Sequence, residues 1–286
     1  MSKVFLITGS SRGLGRSIAE AVLAAGHQLV ATARKPEQLD DLVSKYGDQL
    51  RAVRLDVTDY AAAQSAVQVA VEAFGRLDVV VNNAGYANFA SVEDIAIEDF
   101  REQIETNLLG VVNVTKAALP VLREQGEGYF IQVSSVGGRS VAPGLSAYQA
   151  AKWAVGGFSG VLAREVKPLG LKVTVLEPGG MSTDWSGSSM KVYPVSAPYE
   201  PSVGRLRDHL GRGPAASDPA KVAQVVLQLV DSDDVPERLL LGTDALAVAN
   251  GYEQARDAEK AKWLDMTHST LHDDLDQSAL DPTVNL

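Results

Sequence analysis

The chain has 286 residues, of which 45% are hydrophobic, and its formal net charge at pH 7 is −10. This acidic surplus disfavours nucleic acid and anionic membranes as partners, because both reward clustered Lys and Arg. The absence of cysteine excludes disulfides, metal–thiolate sites and thiol nucleophiles, and no metal site is predicted. No apolar run approaches the roughly 18 residues of a membrane span. The N-terminus lacks the pattern of a signal peptide, so we expect a cytoplasmic protein.

The first two-thirds of the chain alternates short β-branched runs with longer helical patterns. The runs are nearly continuously apolar, which is typical of parallel strands buried on both faces. The predicted strands are Val4–Thr8, Gln28–Ala33, Leu50–Asp56, Leu77–Asn82, Gly128–Ser134 and Leu171–Glu177. The predicted helices are Gly15–Ala25, Pro36–Tyr46, Tyr60–Phe74, Ile97–Glu124 and Ala147–Lys167. Right-handed crossovers then produce a doubly wound, three-layer α/β/α fold of the Rossmann type, which binds ligands at the carboxyl ends of its strands.

The pattern changes after Pro178, where the chain becomes rich in Gly, Ser and Pro. So long a loop inside a compact domain is typically a lid or a binding loop. We therefore predict one domain over residues 1–286 with about seven strands, and not two domains. Its last parts are a substrate lid at 180–215, a helix at Pro219–Asp231, the last strand at Arg238–Leu241, a charged C-terminal helix within 244–272 and a mobile tail at 273–286.

A glycine-bearing turn separates the first strand from the first helix. Glycines let a pyrophosphate approach closely, and the helix N-terminus offers free N–H groups and the positive end of its dipole. The spacing G-x-x-x-G-x-G differs from the general dinucleotide fingerprint G-x-G-x-x-G. The turn therefore predicts a phosphate-binding site, with a purely structural turn as the alternative. It reads Thr8, Gly9, Ser10, Ser11, Arg12, Gly13, Leu14, Gly15.

The end of the second strand indicates which nicotinamide cofactor binds. An NAD site usually has an Asp or Glu there to accept from the ribose hydroxyls. This chain has Arg34 followed by Lys35 instead. Arg34 can form a forked, charge-assisted contact with a 2′-phosphate, and Arg12 can approach it from the glycine turn. Either Arg alone could be a solvated surface charge, but with the acid missing the pair favours NADP(H).

Two further strand ends carry polar or small residues. Asp56 could accept a hydrogen bond from the adenine amino group, or it could be an ordinary cap before the next helix. The fourth strand ends in Asn82, Asn83, Ala84 and Gly85. Small residues there would let the backbone pass beside the adenine ribose, and an Asn side chain can bridge neighbouring strands. A plain turn would look similar.

Tyr148 and Lys152 lie one helical turn apart at the start of a predicted helix. A phenol has a pKa near 10, and a nearby ammonium or oxidised nicotinamide favours its ionised form. Such a pair by itself often lies on a protein surface and has no catalytic role. Ser134 and Ser135, however, end the fifth strand just before this helix, and a serine hydroxyl there can stabilise a carbonyl oxygen that gains negative charge.

In combination, T-G-x-x-x-G-x-G, N-N-A-G, a Ser ahead of Y-x-x-x-K, and P-G-x-x-x-T resemble the short-chain dehydrogenase/reductase superfamily. The match runs in order from Lys3 to about Asp184. The resemblance implies an NADP-dependent carbonyl reductase or alcohol dehydrogenase with a small-molecule carbonyl or alcohol substrate. It also implies a homo-oligomer, a dimer or tetramer, because helices such as Ile97–Glu124 and Ala147–Lys167 often pair subunits in this family.

The resemblance also assigns roles to individual residues. Tyr148 would be the general acid/base, and Ser135, which has the family's spacing from it, would bind the carbonyl oxygen. Lys152 would hold the nicotinamide ribose and lower the pKa of Tyr148, and Asn107 would hold a water linked to Lys152. The remaining cofactor contacts would come from Gly9, Ser11, Arg12, Gly13, Leu14, Arg34, Asp56, Val57, Asn83, Ala84, Gly85, Pro178, Gly179 and Thr183.

The substrate is predicted from the lid alone. Large side chains there predict a mostly apolar pocket with some phenolic hydrogen bonds, although they could instead seal the lid against the core. They are Met181, Trp185, Met190, Tyr193 and Tyr199, and the first four are predicted to bind substrate beside Ser135 and Tyr148.

Two other functions stay open. One is a catalytically silent NADP(H)-sensing regulator. The other is a scaffold that docks a partner through apolar positions of the C-terminal helix, which include Val248, Tyr252, Ala255, Trp263 and Met266.

Overall fold

The computed structural model describes residues 2–183, 190–209 and 216–272. Seven parallel strands form one sheet in the order β3-β2-β1-β4-β6-β7-β9, and β5 and β8 form a separate two-stranded sheet. The strands are β1 Val4–Ile7, β2 Gln28–Ala33, β3 Leu50–Arg54, β4 Val79–Asn82, β5 Asn88–Phe89, β6 Gly128–Val133, β7 Leu171–Pro178, β8 Lys191–Val192 and β9 Arg238–Leu241. The predicted doubly wound fold is confirmed.

Helices cover both faces of the large sheet. They are α1 Gly13–Ala24, α2 Asp40–Tyr46, α3 Tyr60–Phe74, α4 Ile97–Ile104, α5 Gly110–Gln125, α6 Ser146–Val166, α7 Arg205–Arg207, α8 Pro219–Asp231, α9 Thr243–Lys262 and α10 Leu264–His268. None of the helices in the described parts of the chain is long and apolar enough to cross a membrane.

The side chains of strand β1 belong to two hydrophobic clusters, one on each face of the sheet. Phe5 and Ile7 belong to the hydrophobic cluster that includes α1 and α8. Val4 and Leu6 belong to the cluster on the opposite face, with α3, α5 and α6. Successive side chains of a strand point to opposite faces, so an unbroken apolar run is needed where both faces are covered.

The order of strands also locates the ligand crevice. From β1 the chain winds outward through β2 and β3, and it then returns to place β4 on the other side of β1. The carboxyl ends of β1 and β4 therefore border the point where the winding direction reverses. Open α/β sheets bind their ligands at such a switch point.

The predicted helix Ile97–Glu124 is interrupted. A π-helical turn at Glu105–Leu109 joins α4 to α5, and it carries Asn107. Gly110, which follows the turn, packs so tightly that a Cβ atom there would lie 2.5 Å from Val57 Cγ2. The helical periodicity of the sequence does not reveal the extra residue of a π turn, which is a common feature of functional sites.

The lid segment is more regular than predicted. Within 190–209, β8 pairs in parallel with β5, and short helical turns follow at Ala197–Tyr199 and Glu200–Gly204. Residues 184–189 and 210–215 of the predicted lid lie outside the described residues, as does the predicted tail at 273–286.

The charged C-terminal helix is divided at Trp263 into α9 and α10. Its predicted apolar positions do not form one buried stripe. Tyr252 packs edge-on against Trp153 of α6 with their ring centroids 6.3 Å apart. Trp263 and Met266 are instead 53% and 64% exposed.

Candidate active site

The glycine turn is shaped by direct contact between its two ends. Gly9 and Gly13 have φ angles of +68° and +57°, which lie in the left-handed region that favours glycine. A Cβ atom on Gly15 would lie 2.3 Å from the carbonyl oxygen of Gly9. Helix α1 begins at Gly13, two residues earlier than predicted, so its unpaired N–H groups open toward the turn.

The segment after β4 is bonded to this turn. Asn83 donates through Nδ2 to the carbonyl oxygens of Thr8 (3.0 Å) and Gly9 (3.3 Å). In return, Thr8 Oγ1 accepts from the backbone N–H groups of Asn83 (2.9 Å) and Ala84 (3.0 Å). The predicted bridging role of an Asn at this strand end is present, and it holds β1 and β4 together at the switch point.

A large cleft runs along the carboxyl ends of the strands, with a volume of about 2620 Å³. That exceeds the range of about 300–1,000 Å³ typical of a single-ligand pocket, so it has room for a dinucleotide and a substrate together. All of the predicted cofactor residues line it: Gly9, Ser11, Arg12, Gly13, Leu14, Arg34, Asp56, Val57, Asn83, Ala84, Gly85, Tyr148, Lys152, Pro178, Gly179 and Thr183.

Four cationic residues line the end of the cleft beside β2 and β3, where Glu37 and Asp56 are the carboxylates. Arg12 and Arg34 line it, as predicted, and so do Lys35 and Arg54. Sequence reasoning missed Arg54. It ends β3 and is the register partner of Ala33 in β2, a pairing that a correct strand alignment would have revealed. The cationic end suits a phosphate beyond the pyrophosphate.

Asp56 has a local partner within this end of the cleft. Its Oδ1 accepts from the N–H (3.0 Å) and the hydroxyl (2.8 Å) of Thr58. The N-cap of α3 is Asp59, whose side chain accepts from Ala62 N–H. Asp56 therefore lines the cleft and bonds within the turn before α3, and the alternative prediction that it caps the helix is wrong, because Asp59 is the cap.

Ser135, Tyr148 and Lys152 lie together in the middle of the cleft. Ser135 Oγ accepts from Gly137 N–H at 3.0 Å and lies 3.5 Å from the carbonyl oxygen of Pro178, and it also hydrogen-bonds with Tyr148. Lys152 Nζ is 5.7 Å from the centre of the Tyr148 ring. The neighbouring Ser134 faces away and donates to the carbonyl oxygen of Lys152 at 3.1 Å. This arrangement supports the choice of Ser135 over Ser134.

Burial controls the proton affinities of the pair. It raises the pKa of the Tyr148 phenol to about 12, although the hydrogen bond with Ser135 acts in the opposite direction. Burial also lowers the pKa of the Lys152 ammonium to about 8. Both shifts favour the neutral form, as expected for groups removed from water. In the chain by itself Tyr148 is a proton donor at neutral pH.

Asn107 is fully buried in the π turn beside this pair. Its Oδ1 accepts from Tyr86 N–H at 3.1 Å, and its Nδ2 donates to the Tyr86 carbonyl oxygen at 2.7 Å. A Cβ atom on Gly85 would lie 3.0 Å from Asn107 Oδ1 and 3.7 Å from Lys152 Nζ, so Gly85 keeps the space between them open. Asn107 therefore lies behind Lys152, outside the lining of the cleft.

The lid residues that were predicted to bind substrate separate into different places. Met181 lines the cleft, and Trp185 lies outside the described residues. Met190 is buried beneath Tyr148 in a cluster with Phe89. The Tyr193 hydroxyl donates to Asp99 on α4, so it fastens the lid segment. Met190 and Tyr193 thus seal the lid against the body of the protein, which was the alternative interpretation of these side chains.

Other residues line the cleft, and Asp99, Glu102, Glu105 and Lys191 add charged groups to it. A further group is mainly apolar or small and comes from the loop after β6, from α6, from the lid and from α9. The sequence carries no local signal for them, because they meet only in the folded chain. They are Val136, Gly137, Ala142, Leu145, Gln149, Leu206, His209 and Val248.

Comparisons with known proteins agree with this geometry. The family model described as short chain dehydrogenase matches residues 3–193. An oxidoreductase of Botryotinia fuckeliana, BOA17, is 54% identical over 270 residues, which cover 93% of this chain and 98% of that protein. The chain therefore has a family relative along nearly its whole length.

Solved structures share the fold. A short-chain dehydrogenase from Streptomyces avermitilis has a TM-score of 0.89 and 38% identity, covering 95% of this chain and 99% of its own. An alcohol dehydrogenase from Thermococcus sibiricus, complexed with 5-hydroxy-NADP, has a TM-score of 0.71 and 30% identity, covering 85% and 97%. Other structures of this fold contain NADP or NAD, so the fold alone does not choose between them. The chain belongs to the short-chain dehydrogenase/reductase family of NAD(P)-dependent oxidoreductases.

Proposed function

We propose that this protein catalyses reversible hydride transfer between NADP(H) and a ketone or aldehyde, with the secondary or primary alcohol as the other partner. The observation that carries the proposal is the juxtaposition of Ser135, Tyr148 and Lys152 in one cleft with the glycine turn of α1. The glycine turn can bind the phosphates of a dinucleotide, and the buried phenol can donate the proton that the reduction requires.

The side chains would transfer the proton and stabilise the oxygen, whereas the hydride would come from the cofactor. When bound, the nicotinamide supplies or accepts the hydride at the carbonyl carbon. As the carbon–oxygen double bond is reduced, Tyr148 donates its phenolic proton to the oxygen, and in oxidation it takes that proton back. Ser135 donates a hydrogen bond to the same oxygen while the oxygen carries negative charge. Because Tyr148 is protonated at neutral pH in the chain alone, it is prepared to act as an acid.

Lys152 and Asn107 support the phenol. Lys152 is 4% exposed and donates to the Val133 carbonyl oxygen, which fixes its ammonium beside Tyr148. Its positive charge favours the phenolate over the phenol, which assists proton removal from an alcohol. Asn107 lies behind it and bonds with the backbone of Tyr86, and we propose that it holds a water that links Lys152 to solvent.

The preference for NADP(H) rests on charge. Arg12, Arg34 and Arg54 line the end of the cleft beside β2 and β3, and no Asp or Glu follows β2 directly. A guanidinium fork matches a phosphate, whereas an acid at this place would repel it. The complex of the Thermococcus sibiricus alcohol dehydrogenase with 5-hydroxy-NADP is consistent with this choice.

The substrate is a medium-sized carbonyl or alcohol with apolar character. Val136, Ala142, Leu145, Leu206 and Val248 form an apolar part of the cleft lining, which also contains charged residues such as Asp99 and Lys191. Such a wall favours alkyl or ring groups beside the reacting carbon, because their burial is worth about 25 cal/mol per Å².

The assembly is proposed to be a homo-oligomer, a dimer or tetramer. Ile97 on α4 and Val161 on α6 are 54% and 59% exposed, which leaves apolar side chains uncovered on two helices. Light scattering on the purified protein determines the state, and a monomer at all concentrations would contradict this part of the proposal.

A panel of ketones, aldehydes and alcohols, followed by NADPH absorbance, tests the function. We expect turnover of partly apolar substrates, and Tyr148→Phe should lower kcat by about 10²–10⁴-fold while NADPH still binds. Tyr60→Phe, which changes an exposed tyrosine outside the cleft, serves as the control and should keep kcat. NADPH binding without turnover of any panel member would instead identify a cofactor-sensing regulator. Turnover of small, highly polar sugars alone would contradict the substrate class.

A further inference from the structure

Glu177 is a carboxylate without solvent exposure, and it lies between two guanidinium groups. Its Oε2 accepts a hydrogen bond from Arg139 Nε at 2.6 Å. Its Oε1 forms an ion pair with Arg238 Nε at 2.9 Å. Removing a carboxylate from water costs several kcal/mol, and the two guanidinium groups that face Glu177 offset this cost.

The Arg139 contact connects the carboxylate to the loop of Ser135. Arg139 ends the 3₁₀ turn Val136–Gly138, whose N-cap is Ser135. Glu177 directly precedes Pro178, whose carbonyl oxygen lies 3.5 Å from Ser135 Oγ. The pair therefore joins the far end of the serine loop to the strand end against which Ser135 rests.

The Arg238 contact connects the same carboxylate to helix α6. A Cβ atom on Gly156 would lie 2.0 Å from Arg238 Nη2, so the guanidinium lies directly on the helix backbone. Gly156 follows Lys152 by one turn of α6. Glu177 thus accepts a hydrogen bond from one arginine on the serine loop and forms an ion pair with another, which rests on the helix of Tyr148 and Lys152.

A second carboxylate balances the charge. Glu253 of α9 pairs with Arg139 Nη1 at 3.0 Å, so two carboxylates face two guanidinium groups. Burial acts to lower the pKa of Arg139, but Glu177 and Glu253 together raise it above its ordinary value.

We propose that Glu177 is a positioning residue that, through Arg139 and Arg238, fixes the Ser135 hydroxyl relative to Tyr148. This inference rests on the proposed function, because it concerns the oxygen that both hydroxyls would bind. Glu177 does not touch the reacting atoms. Its effect comes from geometry, since a displacement of about 1 Å in a catalytic group can lower a rate about 10²-fold.

Glu177→Gln tests the proposal against a matched control, Asp78→Asn. Asp78 is also buried, pairs with Arg76 at 2.5 Å and accepts from Val4 N–H, but it lies at the amino ends of the strands. We expect Glu177→Gln to lower kcat by about 10- to 100-fold with the Kd for NADPH changed less than about threefold. Asp78→Asn should lower Tm but leave kcat within about twofold. Equal kcat in the two variants would overturn the proposal.

The pH dependence of alcohol oxidation is a second measurement, which a loss of stability alone would not shift. The hydrogen bond with Ser135 lowers the pKa of Tyr148 relative to burial alone. If Glu177→Gln displaces Ser135, the pH at which alcohol oxidation reaches half its maximum should rise by about 0.5 unit or more. An unshifted profile in a variant with reduced kcat would also contradict the proposal.

Variants of Arg139 test the same proposal if Glu177→Gln does not fold. Its side chain is 25% exposed, so substitution there is better tolerated. Arg139→Lys retains the charge and should recover most of the kcat that Arg139→Gln loses, whereas equal losses would overturn the proposal.

Amide hydrogen exchange across residues 135–142 separates this inference from the proposed function. Exchange there should accelerate in Glu177→Gln and not in Asp78→Asn, whether or not a substrate is known. If the wild-type protein turns over no carbonyl or alcohol, the proposed function fails, and unchanged exchange would separately refute the ordering role of Glu177.

Discussion

The ammonium of Lys152 donates a hydrogen bond to the carbonyl oxygen of Val133 at 2.7 Å, which ties helix α6 to the last residue of β6. Ser135 follows that strand by two residues, and Tyr148 precedes Lys152 by one helical turn. With the hydrogen bond from Ser134 to the Lys152 carbonyl oxygen, this contact holds the ends of the two elements together around the proposed site.

Lys152→Met should remove both this contact and the positive charge beside Tyr148. We expect kcat to fall by about 10²–10⁴-fold, because proton transfer then lacks its charged neighbour. Lys167→Met, at the exposed end of α6, is the control and should retain activity. Steady-state kinetics with the best panel substrate measure the effect, and a loss below about threefold would remove Lys152 from the mechanism.

The two reaction directions should depend oppositely on pH. Reduction needs the Tyr148 phenol, which is protonated well above neutrality because burial raises its pKa to about 12. Lys152 loses its proton with a pKa of about 8. We expect reduction to be level around neutral pH and to fall only as the phenol ionises well above neutrality. Oxidation should rise with pH because it needs the phenolate, which the Lys152 ammonium favours while it keeps its proton below about pH 8. Profiles of kcat measured in both directions test this, and parallel profiles would contradict it.

Arg34→Asp should reverse the charge at the proposed 2′-phosphate position. The Kd for NADPH should rise about 10-fold or more, while that for NADH changes less or improves, because an acid can accept from the ribose hydroxyls. Arg164→Asp on α6, outside the cleft, makes the same change in net charge and controls for long-range electrostatics. Fluorescence titration measures both constants. Equal weakening of the two cofactors would refute the phosphate-binding role.

Gly15→Ala should prevent the glycine turn from closing. Its Cβ would lie 2.3 Å from the Gly9 carbonyl oxygen, so the turn must open and its N–H groups must move. We expect a destabilisation of about 1–3 kcal/mol and at least a 10-fold weaker Kd for NADPH.

Gly157→Ala is the matched control for this substitution. Gly157 lies inside α6 with no atom within 4 Å of the added methyl group, so the change should stabilise the protein by about 0.5–1 kcal/mol. Thermal unfolding and NADPH titration of both variants check the pair. A Gly15→Ala variant that binds NADPH normally would contradict the close packing.

His27 should make stability depend on pH. Its Nδ1 accepts from Lys3 N–H at 3.1 Å, and burial lowers its pKa below the ordinary 6.5. Between the folded-state pKa and the ordinary value, the unfolded chain binds the proton more readily than the folded chain does. The contribution of neutral His27 to the free energy of unfolding is therefore complete above about pH 6.5, and it declines as the pH falls toward the folded-state pKa.

His27→Gln should therefore reduce the decline in Tm between about pH 7 and 5, since Gln can accept the same hydrogen bond without titrating. His268→Gln, at an exposed site on α10, is the control and should leave the pH dependence unchanged. Thermal unfolding across this range measures both variants. An identical decline in wild type and His27→Gln would show that His27 does not contribute.

The sequence by itself determined the sheet, the glycine turn and the grouping of Ser135 with Tyr148 and Lys152. These features depend on neighbours: apolar runs, turn glycines and a helical spacing of four residues are all local. Parallel strands then bring their carboxyl ends to one edge, so residues at strand ends converge without knowledge of any particular contact.

Only the tertiary structure decided the rest. The π turn around Asn107 and the burial of Met190 depend on packing that no local pattern encodes. The Glu177 network is the clearest case, since Arg139 contacts partners 38 and 114 positions away in the chain. Charged side chains distant in sequence have no periodic signal, and whether they are paired and buried or simply solvated is decided when the chain closes around them.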